Sequence, residues 1–297
     1  MINNYILYII RTYVIVYMFL QYLFSMKTKN ILQKTKKEML DEKYSLNTIT
    51  SYIFYIKKYL DFLDSKKLNS ATNNIPIFLK LQKQNKVSPQ THNLILNSLN
   101  FFYTKINKQP NKTNAKYQKL STKKPLTLTT TQIKKVINCT HNSKHLLIIS
   151  LAYGSGLRLN EIRNLKIKNL NLENLTIQIR NKQNKKIRET IIPISIKDNL
   201  QLFINKKKSS ELLFTNHTGD KLSDRSIQKA FSNALTRAKI DKVVTFQSLR
   251  QSFIKHLLEN GISIHHVQTL SGHKSVRTTK IYQKNILTKI TNIKSPL

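Results

Sequence analysis

The order and spacing of three residues near the C-terminus, Arg250, His273 and Tyr282, constrain this chain more than any other feature of its sequence. A helical pattern of apolar residues runs on from Arg250 and stops at Gly261. A second helix is predicted to end next to His273, and Tyr282 follows nine residues after that histidine. Few chemistries need these residue types in this order, so the segment predicts an active site carried on helices.

The residue types suit the cleavage of a phosphodiester without a metal. Such a reaction needs a nucleophile, cations for the charge that builds on the non-bridging oxygens, and an acid for the leaving 5′ oxygen. Tyrosine can supply the nucleophile. Arginine suits the phosphate because its planar fork donates to two oxygens at once and stays charged at any working pH. Arg250, His273 and Tyr282 are therefore candidate catalytic residues.

A second arginine, Arg158, lies upstream in a Gly-Leu-Arg run, and Glu161 follows it. Together with Arg250, His273 and Tyr282, this run resembles the active-site boxes of the tyrosine recombinase (phage integrase) family, in its Xer-like branch. The resemblance implies that Tyr282 attacks DNA to form a 3′-phosphotyrosine and that the two arginines neutralise the transition state. It also implies that His273 hydrogen-bonds the phosphate or the nucleophile.

A β-hairpin is predicted where two β-rich runs, residues 175–180 and 187–194, flank a polar turn. The turn contains Lys182 and resembles the family hairpin whose tip carries the general-acid lysine into the DNA minor groove. The resemblance implies that Lys182 protonates the leaving 5′ oxygen. Lys185 and Lys186 stay open as alternatives for this role.

Gln247 departs from the family pattern, which normally has histidine three positions before the second arginine. A neutral amide can donate a hydrogen bond to a phosphate but cannot accept the tyrosine proton as a base. General acid–base help is typically worth roughly 10²- to 10⁴-fold in rate. The departure therefore predicts a slow enzyme in which Gln247 only positions the phosphate.

Two amphipathic helices are predicted in the N-terminal half. Residues 45–63 place apolar side chains on one helical face after a capping Ser45 or Asn47, and a second helix opens at Ser88, followed by proline. This segment resembles the family's helical core-binding domain, which grips one face of DNA. Residues 107–125 are rich in lysine and nearly free of apolar residues. They are predicted to be a basic linker, which either follows DNA phosphates or is a solvated tether.

Residues 1–25 are hydrophobic, and residues 5–24 are long enough to span a bilayer if Arg11 and Gln21 are tolerated there. The resemblance to recombinases begins only near Met26. Three interpretations are open: translation assigned upstream of a true start at Met26, a membrane anchor, or a helix packed on the body. No small-residue cleavage site follows, which argues against a signal peptide.

The chain has 51 Lys and Arg against 14 Asp and Glu, a formal net charge of +37 that suits a polyanion such as double-stranded DNA. Its wealth of Lys, Asn, Ile and Tyr is also what an AT-rich coding sequence gives, so codon usage supplies part of this charge. Such a composition fits a cytoplasmic or an organellar protein.

Metal and disulfide chemistry find little support in the sequence. The single Cys139 excludes an intramolecular disulfide and a cysteine-cluster zinc site. His141 and His145 have helical spacing and His265 and His266 are adjacent, but neither pair has a carboxylate or third ligand beside it. A covalent phosphotyrosine conserves the bond energy. We therefore expect no metal and no other cofactor.

The predicted fold is mainly α with a small β-sheet, that is, a helical core-binding domain followed by a tyrosine-recombinase catalytic domain. The expected boundaries are a hydrophobic segment at residues 1–25, the core-binding domain at 26–106, the linker at 107–125, and the catalytic domain with its C-terminal tail at 126–297. By resemblance, two protomers bind an inverted repeat and a homo- or hetero-tetramer holds two duplexes. The amphipathic tail after Tyr282 suits docking on a neighbouring protomer.

Two other function classes are open at this stage. Gln247 favours a non-catalytic DNA-binding descendant of the family. A type IB topoisomerase shares the chemistry but relaxes DNA as a monomer, and the helical N-terminal domain and compact tail argue against it.

Overall fold

Helices dominate both compact units of the chain, residues 1–122 and residues 123–297, and one small antiparallel sheet lies in the second. The computed structural model describes residues 26–109, 115–120, 125–181, 185–205 and 207–283. This architecture confirms the predicted fold class of a mainly helical protein with a small sheet.

Four helices make up the described part of the first unit. Helix α1 spans residues 26–41, and it is followed by α2 (Leu46–Ser65), α3 (Asn74–Gln84) and α4 (Pro89–Phe101), which continues as a π-helical turn over Phe102–Ile106. The sequence patterns predicted α2 and α4 but gave no separate signal for α3.

Both predicted helix starts are capped by serine. The hydroxyl of Ser45 accepts from the backbone N–H of Thr48 at 3.2 Å, so Ser45 rather than Asn47 caps α2. The hydroxyl of Ser88 accepts from the N–H of Thr91 at 3.2 Å, with proline in the first turn of α4. Each cap satisfies a backbone donor that the first helical turn leaves without a partner.

Two tyrosines link the core of the first unit. The hydroxyls of Tyr59 and Tyr103 lie 2.8 Å apart and lie 3.3 and 3.0 Å from the carbonyl of Ala71, so their two protons are shared among these three contacts. Both rings are buried, and burial is the largest cause that raises the pKa of each phenol. The apolar face predicted for residues 45–63 packs into this core. The aromatic residues of α2 and α4 are therefore structural.

Part of the predicted linker packs on α4. The side-chain amide of Asn93 donates to the carbonyl of Gln118 at 2.9 Å, and its oxygen accepts from the N–H of Gln118 at 2.8 Å. Beside this pair, the hydroxyl of Tyr117 donates to Asn97 at 2.7 Å. Residues 115–120 are thus held against the first unit. The path of the whole linker along DNA stays a prediction, because residues 110–114 and 121–124 lie outside the described residues.

The second unit carries the remaining described elements in the order helices, sheet, helices. These are α5 (Thr130–Asn138), α6 (Ser143–Gly154), α7 (Leu159–Asn164), β1 (Leu170–Asn171), β2 (Thr176–Arg180), β3 (Lys186–Ile191), α8 (Lys197–Ile204), α9 (Asp224–Arg237), α10 (Gln247–Glu259), α11 (Ile264–Ser271) and α12 (Val276–Gln283).

The predicted hairpin is present as β2 and β3, which pair antiparallel with Ile177 opposite Thr190. Strand β1 pairs with β2 on the other side, which gives the order β1-β2-β3. Because side chains alternate across a strand, Arg188 and Thr190 of β3 are buried, while Ile187 is exposed. The tip of the hairpin, including Lys182, lies outside the described residues.

Helices α6 and α10 pack against each other in the centre of the second unit, and α10 also packs against α11 and α12. Helix α6 is buried along its length from Leu147 to Gly154. This packing places the end of α11 and the helix that bears Tyr282 on the same side of α10. Cys139, at the end of α5, is half-buried and packs against the core.

Within the described ranges, no helix is long and apolar enough to cross a membrane. Two predictions cannot be compared with the structure, since the hydrophobic stretch at residues 5–24 and the tail after Gln283 lie outside those ranges.

Candidate active site

Arg250 is the most deeply buried part of the site. Its side chain lies on the first turn of α10 and the residue is only 1% exposed. The guanidinium donates to the backbone carbonyls of Gly156 and Ser271. Burial, followed by repulsion from Arg158 and Arg188, lowers the pKa of Arg250 to about 9. A group with that pKa is still protonated at neutral pH, so a cation lies at the centre of the site.

Arg158 lies at the start of α7 and is held by Glu161, one turn away. One carboxylate oxygen of Glu161 accepts from the backbone N–H of Arg158 at 2.7 Å, and the other accepts from its guanidinium at 2.9 Å. The guanidinium also donates to the carbonyl of Gly272 at 3.4 Å. Its side chain is 41% exposed, so a bound anion can reach it.

A third arginine, Arg188, belongs to the same cluster and was not predicted from the sequence. It lies on β3, and its side chain is only 3% exposed. Its guanidinium donates to Glu161 and to the carbonyl of Leu270, both at 2.7 Å. The alternation of side chains along β3 could have indicated a buried arginine, had the buried face of the strand been known. A single strand of this length did not show which of its faces is buried.

Three consecutive carbonyls at the C-terminal end of α11 each accept from a different arginine. Leu270 accepts from Arg188, and the next two residues accept from Arg250 and Arg158. The last carbonyls of a helix have no partner within the helix and carry partial negative charge, so cations are favoured there. The end of α11 therefore organises the arginine cluster.

Glycine is required at Gly272, where the chain leaves α11. Its φ of +63° is in the left-handed region, and a Cβ built there would lie 2.4 Å from Cδ of Arg188. Gly156, which accepts from Arg250, has a φ of +61°, and a Cβ there would meet the ring of Phe253 at 2.4 Å. Both glycines allow the backbone to approach the arginine cluster closely.

His273 follows Gly272 and contacts the helix of the predicted nucleophile. Its Nδ1 lies 3.0 Å from the hydroxyl of Thr279, which is fully buried on α12. Burial, followed by repulsion from Arg250, Arg158 and Arg188, lowers the pKa of His273 to about 4. The imidazole is therefore neutral at pH 7.

Tyr282 lies on α12 and is half-buried against the core of the second unit. Burial raises its pKa, while the nearby Arg250 acts in the opposite direction. The phenol is therefore protonated at neutral pH and must lose a proton before or during an attack. Tyr282 interacts electrostatically with Arg250, so it lies close to the cations that could bind a phosphate.

Gln247 and the candidate lysines of the hairpin have no described contact with the arginine cluster. Gln247 is exposed at the start of α10, three residues before Arg250. Lys182 lies outside the described residues, whereas Lys185 is exposed next to the tip of the hairpin. The ammonium of Lys186 forms an ion pair with Glu189 on the same strand. Among the described residues, no group of three His, Cys, Asp or Glu side chains could hold a metal ion.

Two family models match the chain. The model of the phage integrase family matches residues 127–287, and that of the phage integrase N-terminal SAM-like domain matches residues 31–113. The chain is 30% identical to the tyrosine recombinase XerA of Pyrococcus horikoshii over 246 residues, 81% of this chain and 84% of that protein. It is 26% identical to the tyrosine recombinase XerC of Listeria monocytogenes over 265 residues, 82% of this chain and 88% of that protein.

Solved structures with a similar fold include the XerH site-specific recombinase bound to its difH substrate, with a TM-score of 0.68 and 22% identity. That similarity covers 86% of this chain and 81% of the XerH chain. A lambda integrase dimer bound to a COC′ core site is similar with a TM-score of 0.65 and 18% identity, over 89% of this chain and 98% of the other.

Proposed function

The chain belongs to the phage integrase family, whose members cleave and rejoin DNA at specific sites, and we propose that it does so through a covalent bond between Tyr282 and a DNA phosphate. The single observation that carries this proposal is the cluster of Arg158, Arg250 and His273 at the end of α11, next to the helix of Tyr282. This finding is independent of the sequence spacing.

The reaction balances without a metal or a nucleotide. The phenolic oxygen of Tyr282 forms a bond to phosphorus, and the bond from phosphorus to the 5′ oxygen breaks. The tyrosine loses a proton and the 5′ oxygen gains one, while the 3′ phosphate stays on the enzyme. In the reverse step, a 5′ hydroxyl of the partner strand attacks this phosphotyrosine, so strands are exchanged with no loss of bond energy.

The two arginines would divide the work of binding the phosphate. Arg158 is the accessible cation, and its fork suits two non-bridging oxygens. Arg250 is buried, but its two backbone contacts use only two of the five N–H groups of a guanidinium. The remaining donors are available to a phosphate in a site that excludes water, where a preorganised cation stabilises developing charge most strongly.

The low pKa of His273 assigns it a neutral role. If Nδ1 carries the proton and donates to Thr279, then Nε2 is free to accept from the nucleophile. If Thr279 donates instead, Nε2 carries a proton that can bind the phosphate. Both arrangements agree with the proposed contact of His273 to phosphate or nucleophile, and neither requires a charged imidazole.

Among the lysines, Lys182 is our proposed general acid for the 5′ oxygen. The ion pair of Lys186 with Glu189 keeps that ammonium on the strand, which makes it the weaker candidate. Exposed Lys185 is the nearest alternative. A lysine in this role would give its proton to the leaving group and recover it when the 5′ hydroxyl attacks in the reverse step.

Gln247 would position the phosphate without titrating, and this predicts slow cleavage. The exposed amide at the start of α10 can donate a hydrogen bond, but it cannot take the tyrosine proton. The same observation favours the second candidate function, a DNA-binding descendant that no longer cleaves. A measurable rate of adduct formation would support the slow enzyme, and the absence of an adduct would support the non-catalytic DNA-binding protein.

The proposed partner is double-stranded DNA, bound by two protomers on an inverted repeat and by a tetramer when two sites pair. A formal charge of +37 supports strong, salt-dependent binding, because each phosphate contact releases counterions. By analogy with the family, the tail after Tyr282 would dock on the neighbouring protomer.

Covalent trapping tests the proposal. A binding site is first selected from random duplexes, and a duplex nicked close to the cleavage position is then incubated with the protein. The short fragment diffuses away after cleavage, so the covalent complex accumulates. We expect a protein–DNA adduct through a 3′ phosphate on denaturing gels, in the presence of EDTA.

The Tyr282→Phe variant is the control, because it removes only the hydroxyl. It should bind the selected site and form no adduct. An adduct that persists in Tyr282→Phe, or one that needs magnesium, would reject Tyr282 as the nucleophile. Normal binding of the selected site without any adduct from the parent protein would favour the non-catalytic function.

A further inference from the structure

Arg188 has no role in the mechanism above, yet it is the arginine with the most unusual surroundings. Its side chain is 3% exposed, and its two terminal nitrogens each have a backbone or carboxylate partner at 2.7 Å. Its Nε is buried and, among the described residues, has no hydrogen-bond partner. Burial is the largest cause that lowers the pKa of Arg188.

The contacts of Arg188 join both halves of the phosphate site. Its guanidinium binds the same oxygen of Glu161 that accepts from the backbone N–H of Arg158. The other oxygen of Glu161 binds the guanidinium of Arg158. The other terminal nitrogen of Arg188 donates to the carbonyl of Leu270. The carbonyl of the next residue, Ser271, accepts from Arg250.

Stability alone does not explain this arrangement. Removing a charge from water costs several kcal/mol, and well-packed apolar side chains often replace a buried ion pair without loss of stability. What an apolar side chain at position 188 could not do is orient the Glu161 carboxylate and the end of α11 at the same time. A side chain near phosphate-binding groups has to hold them to within about 0.5 Å of the productive geometry.

We propose that Arg188 is a positioning residue for strand cleavage: it holds Glu161, and through it Arg158, in register with the end of α11 from which His273 follows. This inference rests on the proposed function, because it assigns Arg188 to the transition state of that reaction. In this proposal Arg188 keeps its two terminal nitrogens on Glu161 and Leu270. Its effect reaches the substrate through Arg158 and His273.

The test compares Arg188→Met with Arg163→Met. Methionine keeps the length and flexibility of the buried stem and removes the charge and the donors. Arg163 is the matched control, because it also donates to a carbonyl, that of Leu222 at 2.6 Å, and to a carboxylate, that of Asp224 at 2.5 Å, but none of its partners belongs to the site.

Three measurements are made on each variant: the unfolding midpoint in urea, the affinity for the selected DNA, and the single-turnover rate of adduct formation at saturating protein. We expect Arg188→Met to bind DNA within about 3-fold of the parent and to form the adduct roughly 10- to 100-fold more slowly, the scale of loss known for residues that orient metal ligands in other proteins. Arg163→Met should cleave at the parental rate.

A double variant shows whether Arg188 acts through Arg158. Residues that act as a unit are non-additive, so Arg188→Met should slow an Arg158→Lys protein much less than it slows the parent. The conservative Arg188→Lys, which keeps a cation and can reach one of the two partners, should recover part of the rate. If Arg188→Met does not fold, the rate of adduct formation is measured on Arg188→Lys instead.

The outcomes separate this inference from the proposed function. If the parent forms no adduct, the proposed function fails. If the parent cleaves but Arg188→Met and Arg188→Lys cleave as fast as Arg163→Met, the function stands and the positioning role of Arg188 is rejected. Equal, additive losses in the parent and the Arg158→Lys background would also reject it, since Arg188 would then act independently of Arg158.

Discussion

The Nδ1 atom of His273 lies 3.0 Å from the hydroxyl of Thr279, and this contact ties the end of α11 to the helix that carries Tyr282. Thr279 is fully buried one turn before the tyrosine. The contact fixes the ring of His273, whose position relative to the nucleophile would otherwise depend on a short loop. A histidine and a nucleophile on different helices are thereby held together before DNA binds.

Replacing Thr279 by valine keeps the shape of the side chain and removes this hydrogen bond. One neutral hydrogen bond is worth about 0.5 to 1.5 kcal/mol, so we expect adduct formation to slow by roughly 2- to 13-fold with DNA affinity unchanged. Thr279→Ser keeps the hydroxyl and should stay close to the parent. Equal rates for valine and serine variants would show that the contact does not orient His273 for the reaction.

Arg158→Ala should separate chemistry from binding. We expect adduct formation to fall by at least about 10²-fold, the scale seen when one stabilising donor is removed from a transition state. Binding should change little, because one phosphate contact is a small share of a salt-dependent interface. The measurement is single-turnover cleavage beside a binding titration. Parallel loss of both would make Arg158 a general DNA contact.

Arg250→Ala is expected to behave differently, since it also affects folding. It removes a buried side chain and leaves the carbonyls of Gly156 and Ser271 without their donor. A buried polar group without a partner costs about 1–3 kcal/mol, so urea should unfold this variant well before Arg158→Ala. Arg250→Lys, which retains a cation, is the control. Equal stability of both alanine variants would contradict the structural half of this prediction.

Gln247→His restores a titratable ring at the position that departs from the family pattern. If the missing base limits the rate, this variant should form the adduct faster than the parent, with a pH dependence near the ordinary histidine pKa of about 6.5. Gln247→Ala should cost less than Arg158→Ala. A histidine variant no faster than a measurably active parent at any pH would show that the absent base does not limit the reaction.

Acid should destabilise the second unit through His256. This histidine is 5% exposed, its Nδ1 lies 2.9 Å from the hydroxyl of Tyr153, and burial is the largest cause that lowers its pKa. Because the folded-state pKa is below the unfolded value, the unfolded chain binds more protons. The stabilising effect is complete above the unfolded pKa of about 6.5 and is lost as the pH falls.

Urea unfolding between pH 7.5 and 5 measures this effect. Each histidine of this kind contributes at most about 1.4 kcal/mol per pH unit, and His273 acts with the same sign. His256→Gln, whose amide can still bond to Tyr153, should flatten the pH dependence relative to the parent. An identical slope in both proteins would show that His256 titrates alike in the folded and unfolded states.

Gly272→Ala tests the close approach of the backbone to Arg188. The added Cβ would lie 2.4 Å from Cδ of Arg188, in addition to the strain of a left-handed residue, which costs about 1–3 kcal/mol. Gly219→Ala is a matched control, because Gly219 is also left-handed, with φ of +84°, but a Cβ there would meet nothing within 4 Å. We expect the lower urea midpoint for Gly272→Ala. Equal midpoints would mean that Arg188 moves aside without cost.

The sequence by itself determined two helices of the first unit, the hairpin, and the candidate catalytic residues. Residues 45–63 and 89–101 are helices because their apolar residues recur at helical spacing behind serine caps, and residues 176–191 pair as a hairpin because two β-rich runs flank a polar turn. Arg250, His273 and Tyr282 could be selected because phosphodiester chemistry needs those groups in combination, and Arg158 was added by the resemblance to the family's first arginine box.

Only the tertiary structure decided which polar groups are buried and what they bind. Arg188 is one of many basic residues in a chain with 51 lysines and arginines, and no local pattern distinguishes it from its exposed neighbours. Its partners, Glu161 and Leu270, are 27 and 82 residues away in sequence. Burial, followed by three arginines from three different elements, lowers the pKa of His273. Electrostatic interactions act through space, so their partners become known only when the folded chain brings distant segments together.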